Sequence, residues 1–476
     1  MNHTPHDQAM HYVHQQVLER LLAHMNQAQR ASVQLLMQRL LVIAGGPEHI
    51  GNFRTLVLHG ADRRSAQLLA YLRAAQLSLA VRHHDSFHLR VLVARSPGLD
   101  SATLAAHDQC FGALFLHDDP RVELLRADAG QVGPYSARPV ACSEQRDAAR
   151  NAWLLFGHLG GGRPEVLLGA RAYLELASVL DQALTAGAGV DALLTVTPPR
   201  QRLRLMAWGR RCLRAVTQNA PTTLPHGVGG LAEGLMQLHH VLALALQKPA
   251  PMAQRAAGND LQVVALEAVL HNLDEGGLLE RMLGRKEGLP CEVHGPAGLF
   301  DPLPLAHARG LYAQYIEQRN YRDGSQAAFQ RIVERPLPWP QGQELQQQAQ
   351  ERLLDSYGAS QDQLVCQAFA PFTGQGRRLE QFVQRYHPRM RIALPYLHRA
   401  LQGRPCPAPV VRWLMDISGL DLAQMRALYA GALRPQLVQL VQLLGRRDVA
   451  LRLLPQAGPA LPAWARLAGH AGRWGG

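Results

Sequence analysis

Phe53-Arg-Thr-Leu-Val-Leu58 (FRTLVL) is the stretch on which the reading of the fold turns. It is a short apolar run with no helical period, and it reads as a buried strand. Directly after it, Asp62–Leu77 places apolar residues at helical spacing, an amphipathic helix. Strand then helix opens an α/β unit. Leu77–Arg82 (LSLAVR) and Phe87–Ala94 (FHLRVLVA) are strand-like, separated by the turn His83-His84-Asp85-Ser86. Ser101–Cys110 reads as a helix. Gly112–Leu116 and Val122–Arg126 read as strands around Asp118-Asp119-Pro120. The order is β-α-β-β-α-β plus one extra strand, the ferredoxin-like split βαβ pattern over residues 47–140. A flavodoxin-like or TIR-like parallel sheet is the alternative, because the second strand could pair in parallel with the first. Either fold carries many unrelated functions and names none.

Upstream, Thr4-Pro5-His6-Asp7 is a helix start: Thr4 can cap, Pro5 suits the first position, and Asp7 suits the dipole. Met10, Val13, Val17, Leu21 and Met25, then Leu35, Leu36 and Leu40, recur at helical spacing. Residues 1–46 are therefore expected as an N-terminal helix stopped by Gly45-Gly46-Pro47. Downstream of the polar stretch Ala127–Val140 the pattern turns helical, with helices expected at 143–158, 164–186, 199–217, 228–247, 259–273 and 304–319. Residues 141–335 make a central helical domain, 336–342 a proline-rich linker, and 343–476 an Arg-rich helical C-terminal domain. No fixed-period repeat is present, but the texture of paired helices permits an irregular α-solenoid.

Composition narrows the function classes. The chain has 476 residues and a net charge of +12. Lys248 and Lys286 are the only lysines, so the charge is almost all arginine. A GC-rich bacterial genome, which favours Arg codons, accounts for this; avoidance of lysine by an effector delivered into a host is the alternative. The six cysteines, Cys110, Cys142, Cys212, Cys291, Cys366 and Cys406, form no CxxC pair, which argues against a zinc or disulfide framework. The N-terminus lacks a basic start followed by an apolar run, and no run of about 20 apolar residues could span a bilayer. The expectation is a cytoplasmic protein, with secretion without a signal peptide as the alternative.

The charge is unevenly placed. Residues 377–476 hold 15 arginines and no lysine against Glu380, Asp416, Asp421 and Asp448, a net +11, which leaves +1 for the rest of the chain. Such a field draws anionic partners. Arg377, Arg378, Arg385, Arg389, Arg391, Arg399, Arg412 and Arg426 are the candidate nucleic-acid or anion-binding residues, interleaved with Phe382, Tyr386, Tyr396, Trp413 and Tyr429. Guanidinium forks pair with phosphate, and aromatic faces stack on bases. The plain structural reading is that these arginines are solvated or pair with acids elsewhere in the chain. Val411–Ala430 partly resembles a helix-turn-helix, with Gly419 in the turn, but Met415 and Ser418 depart from the pattern and few side chains could read bases. An ordinary αα-hairpin fits it better. In Arg200–Arg214 the charges wrap the helix rather than line one face.

Candidate chemistry is sparse. His83, His84, Asp85 and His88 suggest metal ligands, yet neighbours on a strand point to opposite faces, so a polar turn is the better reading. His107, Asp108 and Cys110 sit at a helix end, where the dipole raises rather than lowers a thiol pKa, so Cys110 reads as structural. Cys291 and His294 lie in a Gly/Pro-rich loop without a second ligand pair, and His239-His240 lie on an apolar helix. Gly157 and Gly160-Gly161-Gly162 lack the Walker lysine and read as a flexible connection. His117-Asp118-Asp119 reads as a hairpin turn. No catalytic residue, metal site or cofactor is assigned. The expectation is a non-enzymatic binding or regulatory protein whose C-terminal domain engages an acidic macromolecule, nucleic acid first, an acidic protein or membrane surface otherwise. An effector or toxin with an unread activity, and a helical scaffold for an assembly, are the alternatives. The oligomeric state is left open.

Overall fold

The computed structural model of the chain describes residues 5–60, 63–94, 101–128, 131–137, 143–164, 189–196, 262–267, 278–283, 302–332 and 343–433, with a few isolated positions between them. It is mostly helical, with one small mixed sheet.

The N-terminal segment is two helices, α1 (Pro5–Ala23) and α2 (Gln27–Ala44), rather than one. Asn26 makes the break. Its side chain accepts from the Gln29 N–H, and the Gln29 side chain accepts from the Asn26 N–H, a reciprocal cap that starts a new helix. Gly45, at φ 87°, ends α2 in the left-handed region.

Six strands, β1 (Arg54–Leu58), β2 (His88–Ala94), β3 (Val122–Asp128), β4 (Gln131–Pro134), β5 (Ala192–Thr195) and β6 (Gln262–Ala265), form one sheet in the order β4-β3-β2-β1-β5-β6. Every neighbouring pair is parallel except β3 with β4. The ferredoxin-like pattern is therefore corrected, since it requires antiparallel neighbours. The reason lies in two segments read as strands. Residues 77–82 are the last turns of α3 (Arg63–His83), and 112–116 are the end of α4 (Ser101–Ala113) and the turn after it. Each connection between β1, β2 and β3 is thus a helical crossover, which is what parallel pairing needs. The parallel alternative has the direction of β1 and β2 right but not the order. In a flavodoxin-like sheet the first strand lies between the second and third; here it lies between β2 and β5.

From Ser65 to Leu79, α3 is buried on every side. It lies under α1 and α2, and Val57, Val91 and Val93 of the sheet belong to the same core. A helix wrapped in this way has no polar face to mark its period, so its end imitates a strand. The opposite face of the sheet presents Leu56, Leu92, Leu125 and Leu193 to Ala183 and Leu184. β5 and β6 fall in the region read as helical, β6 inside the helix expected at 259–273.

The second core is all helical. After α5 (Ser143–Leu159) come the described helices α6 (Leu278–Met282), α7 (Pro302–Tyr315), α8 (Tyr321–Ile332) and α9 (Gln343–Tyr357). Trp153 and Leu154 of α5 and Leu311 of α7 pack with Leu364, Phe369, Phe382, Leu397 and Leu414. Helices on both sides of 336–342 therefore share one core; residues 336–342 themselves lie outside the described residues. Gly161 and Gly162 end α5 with φ of 72° and 84°. A Cβ at Gly162 would collide with the Ala368 carbonyl, so Gly162 is a close packing contact, whereas Gly161 faces open space. Among the described residues no helix is long and apolar enough to cross a membrane.

Candidate polyanion-binding surface

Residues 370–433 build the arginine surface from short helices. Ala370 closes α10 (Gln361–Phe369) in the left-handed region. The loop Gly374-Gln375-Gly376 keeps positive φ throughout and delivers Arg377 and Arg378 to the start of α11 (Leu379–Tyr386). Phe382, Val383 and Leu379 bury the inner side of α11, and Arg385 points from its outer side to the Tyr315 carbonyl at 3.2 Å. Pro388–Ala393 follows as a 3₁₀ helix that buries none of its six residues. It carries Arg389, Arg391 and Ile392. α12 (Leu394–Leu401) buries Leu397, Ala400 and Leu401 and leaves Tyr396 and Arg399 outside. His398 meets the Tyr429 hydroxyl at 3.0 Å, which ties α12 to α14 (Leu422–Ala430). Arg412 stands on the outer side of α13 (Ala408–Ser418).

Of the eight arginines selected from the sequence, Arg377, Arg378, Arg385, Arg389, Arg391, Arg399 and Arg412 are exposed. Arg426 is half-buried, its Nε donating to the Ala400 carbonyl at 3.0 Å, so it is the least available. None of the eight has a carboxylate within ion-pair distance among the described residues. The ion pairs present lie elsewhere, as in Arg73–Asp119, Arg90–Glu123 and Arg309–Glu317. Arg377 and Arg378 also stand at a helix N-terminus, where the dipole disfavours cations by about 0.3–1 kcal/mol each. Arg385 and Arg426 bond to carbonyls of neighbouring helices, but no pairing among the described residues accounts for Arg377, Arg378, Arg389, Arg391, Arg399 and Arg412.

Three further residues belong to the surface. Arg404, in the turn after α12, is exposed. Ile392 is 90% exposed and Tyr396 43%. Spacings of three and four residues place Arg389, Ile392, Tyr396 and Arg399 along one side. Pro388 and Pro395 around Arg389-Met-Arg-Ile392 are the only sequence sign that this segment stays outside the core.

Comparison with family models, with curated proteins and with solved structures finds no match, so the residues alone carry the functional argument.

The αα-hairpin reading of 411–430 agrees with the side chains. Leu414, Leu420, Met425 and Leu428 are buried, Gly419 is left-handed, and Asp421 caps α14 with Gln424. Ser418 is buried too, its hydroxyl donating to the Leu414 carbonyl and accepting from the Leu420 N–H. A hydroxyl bonded in this way can stand where an apolar residue is expected.

The other candidates resolve differently. His83, His84 and Asp85 are exposed at the end of α3, and His84 takes a positive φ of 59°. No group of three metal-ligating side chains converges among the described residues. Cys110 is buried on α4. His107, one turn before it, is buried against His59 with ring centres 4.9 Å apart, and burial lowers its pKa to about 4. His59 follows β1 at the carboxyl end of the sheet, between β2 and β5, the place where open parallel sheets bind ligands. It is itself buried, and burial first and His107 second hold its imidazole neutral. Residues 61–62, 95–100 and 197–200, which follow strands at that end, lie outside the described residues, as do Arg200–Arg214, His239, His240, Cys291 and His294.

Asp119 is not in a surface hairpin turn. It is fully buried, accepting from Arg73 Nη1 at 2.7 Å, from Arg121 Nη2 at 2.8 Å and from the Arg121 backbone N–H at 2.9 Å. His14 Nε2 lies 3.2 Å away. Burial pushes this carboxyl up, but the Arg121 hydrogen bonds and the charges of Arg73 and Arg121 outweigh it and hold it well below the usual range. A spacing of 46 residues between Arg73 and Asp119 left no trace in the sequence pattern.

Proposed function

We propose that residues 377–426 form a polyanion-binding surface on a non-enzymatic binding or regulatory protein, with nucleic acid as the partner. One observation carries the reading: exposed arginines without carboxylate partners among the described residues flank a 3₁₀ helix that buries nothing and exposes Ile392. Phosphates supply the missing counter-charges, and binding releases the counterions condensed on the nucleic acid. Tyr396 and Ile392 supply flat and apolar contacts at the same place, suited to unstacked bases.

The test uses the full chain and fluorescent single-stranded and duplex DNA, with affinity measured from low to moderate salt. The slope of log K against log salt is about −0.7 to −0.9 per phosphate engaged. Replacing Arg389, Arg391 and Arg399 by Ala together should flatten it by about 2 to 3 and weaken binding regardless of sequence. Absence of salt-dependent binding to DNA and RNA at low ionic strength overturns the reading. Binding to acidic vesicles alone would transfer the surface to a membrane.

A further inference from the structure

A cavity of about 320 Å³ opens at the amino ends of β1, β2 and β3, far along the strands from His59. Its polar wall is Arg54, Thr55, His88, Arg90, Arg121 and Glu123. Three arginines and a histidine thus line, with one acidic residue, a space of small-ligand size.

The wall is built rather than incidental. Arg90 is nine-tenths buried, with Nε on Glu123 at 2.6 Å and Nη1 on the Ala183 carbonyl at 2.5 Å. Arg121 has Nε and Nη2 on Asp119 at 3.0 and 2.8 Å, which leaves Nη1 as its nitrogen without a partner among the described residues. Asp119 is in turn anchored by Arg73 from α3. Asp191 holds the floor by accepting the Arg54 backbone N–H at 2.8 Å. The Thr55 hydroxyl is satisfied by the His88 carbonyl at 3.0 Å. Arg54 has no carboxylate partner among the described residues, its one contact being the Asn52 carbonyl at 3.5 Å. The His88 ring has none either. Two arginines are therefore fixed in orientation by carboxylates behind or beside them, while Arg54 and His88 stand unpaired at the same opening.

We propose that this cavity binds a small phosphate-bearing molecule, with Arg54 and Arg121 gripping the phosphate and Arg90 fixing one wall. Guanidinium forks match phosphate oxygens, and such charge-assisted bonds are about twice as strong as neutral ones. The occupant differs from the polymer proposed for residues 377–426 in size and in site.

The experiment measures thermal unfolding of the full chain in pyrophosphate, in inorganic phosphate and in chloride at matched ionic strength. A ligand that binds only the folded state raises the midpoint with concentration. The expected result is a rise in pyrophosphate or phosphate over chloride. Arg54→Ala should weaken the apparent affinity about tenfold or more. His88→Ala should weaken it by less. In the Arg389, Arg391 and Arg399 triple Ala variant the part of the rise that depends on Arg54 should remain. Arg54 and His88 are only half-buried, so neither replacement threatens folding. No rise over chloride overturns the proposal, as does a rise that survives intact in Arg54→Ala. A rise lost in the triple variant and kept in Arg54→Ala would place the anion on the C-terminal surface instead.

Discussion

Replacing Asp119 by Ala removes the one buried carboxylate found among the described residues of the α/β unit. Arg73 is wholly buried and keeps only neutral partners: the Leu114 and Phe115 carbonyls at 3.0 and 2.9 Å and the Gln76 side chain at 2.7 Å. Breaking a buried pair by deleting one partner costs about 3–5 kcal/mol, because a charge is left uncompensated. The surviving carbonyls place the expected loss at the lower end, about 3 kcal/mol. Asp147→Ala is the control. It breaks a half-exposed i,i+3 pair with Arg150 at 3.0 Å and should cost under about 1 kcal/mol. Denaturant unfolding followed by circular dichroism compares the two. The double variant Arg73→Met/Asp119→Leu should recover part of the loss, since the buried charges leave together. Equal and small losses in Asp119→Ala and Asp147→Ala would refute the assignment of Asp119 as the electrostatic centre of this unit.

Two further predictions concern the second core. His158 is fully buried beside Phe372, neither ring nitrogen has a hydrogen-bond partner among the described residues, and burial lowers its pKa to about 3. The unfolded chain therefore takes up a proton near pH 6.5 that the folded chain refuses until about pH 3. His158 thus costs stability increasingly as pH falls through that window, by about 1.4 kcal/mol per pH unit. His158→Leu should stabilise by about 1 kcal/mol at pH 7 and make the acid side of a stability–pH profile shallower by about one proton; an unchanged profile counts against it. Gly162→Ala should lose more than about 2 kcal/mol in the same unfolding assay, because both its φ and the Ala368 carbonyl oppose a Cβ.

What the sequence made legible follows from how much of each element's surroundings is local. β1 and the start of α3 were readable because an apolar run gives way to a helical period within a few residues. The end of α3 was not, because Ser65–Leu79 has no polar face to mark a helical period, even Arg73 and Gln76 being buried, and the exposed last turn carries the apolar Val81. β5 and β6 are four residues each; β5 forms by pairing with β1, more than a hundred residues upstream, and β6 by pairing with β5 in turn, so helical spacing around them misled. Asn26 was legible in principle, since its spacing from Gln29 is that of a capping box. The arginine surface was visible as a charge imbalance, but the exposure of Ile392 was not. The cavity at the amino ends of the strands joins Arg54, Arg90 and Arg121, which share no motif and meet only once β1, β2 and β3 pair in parallel.

A bias toward arginine across the chain would spread the residue everywhere, but it does not dictate how each copy is used. In the α/β unit most described arginines are consumed by the fold. Arg20 donates to the Ala113 carbonyl, Arg30 to the Leu22 carbonyl, Arg126 to the Ser136 carbonyl, and Arg73, Arg90 and Arg121 to carboxylates. In residues 377–412 the pattern reverses: Arg377, Arg378, Arg389, Arg391, Arg399, Arg404 and Arg412 stand exposed with no ion pair among the described residues. Composition alone predicts the same usage in both places. The contrast is what a surface for an anionic partner requires, because cations already paired within the chain would have to be released before they could bind one. Arg54 belongs with the second group although it sits in the first. For that reason its replacement is the sharpest single test of whether unpaired arginine marks a binding site in this protein.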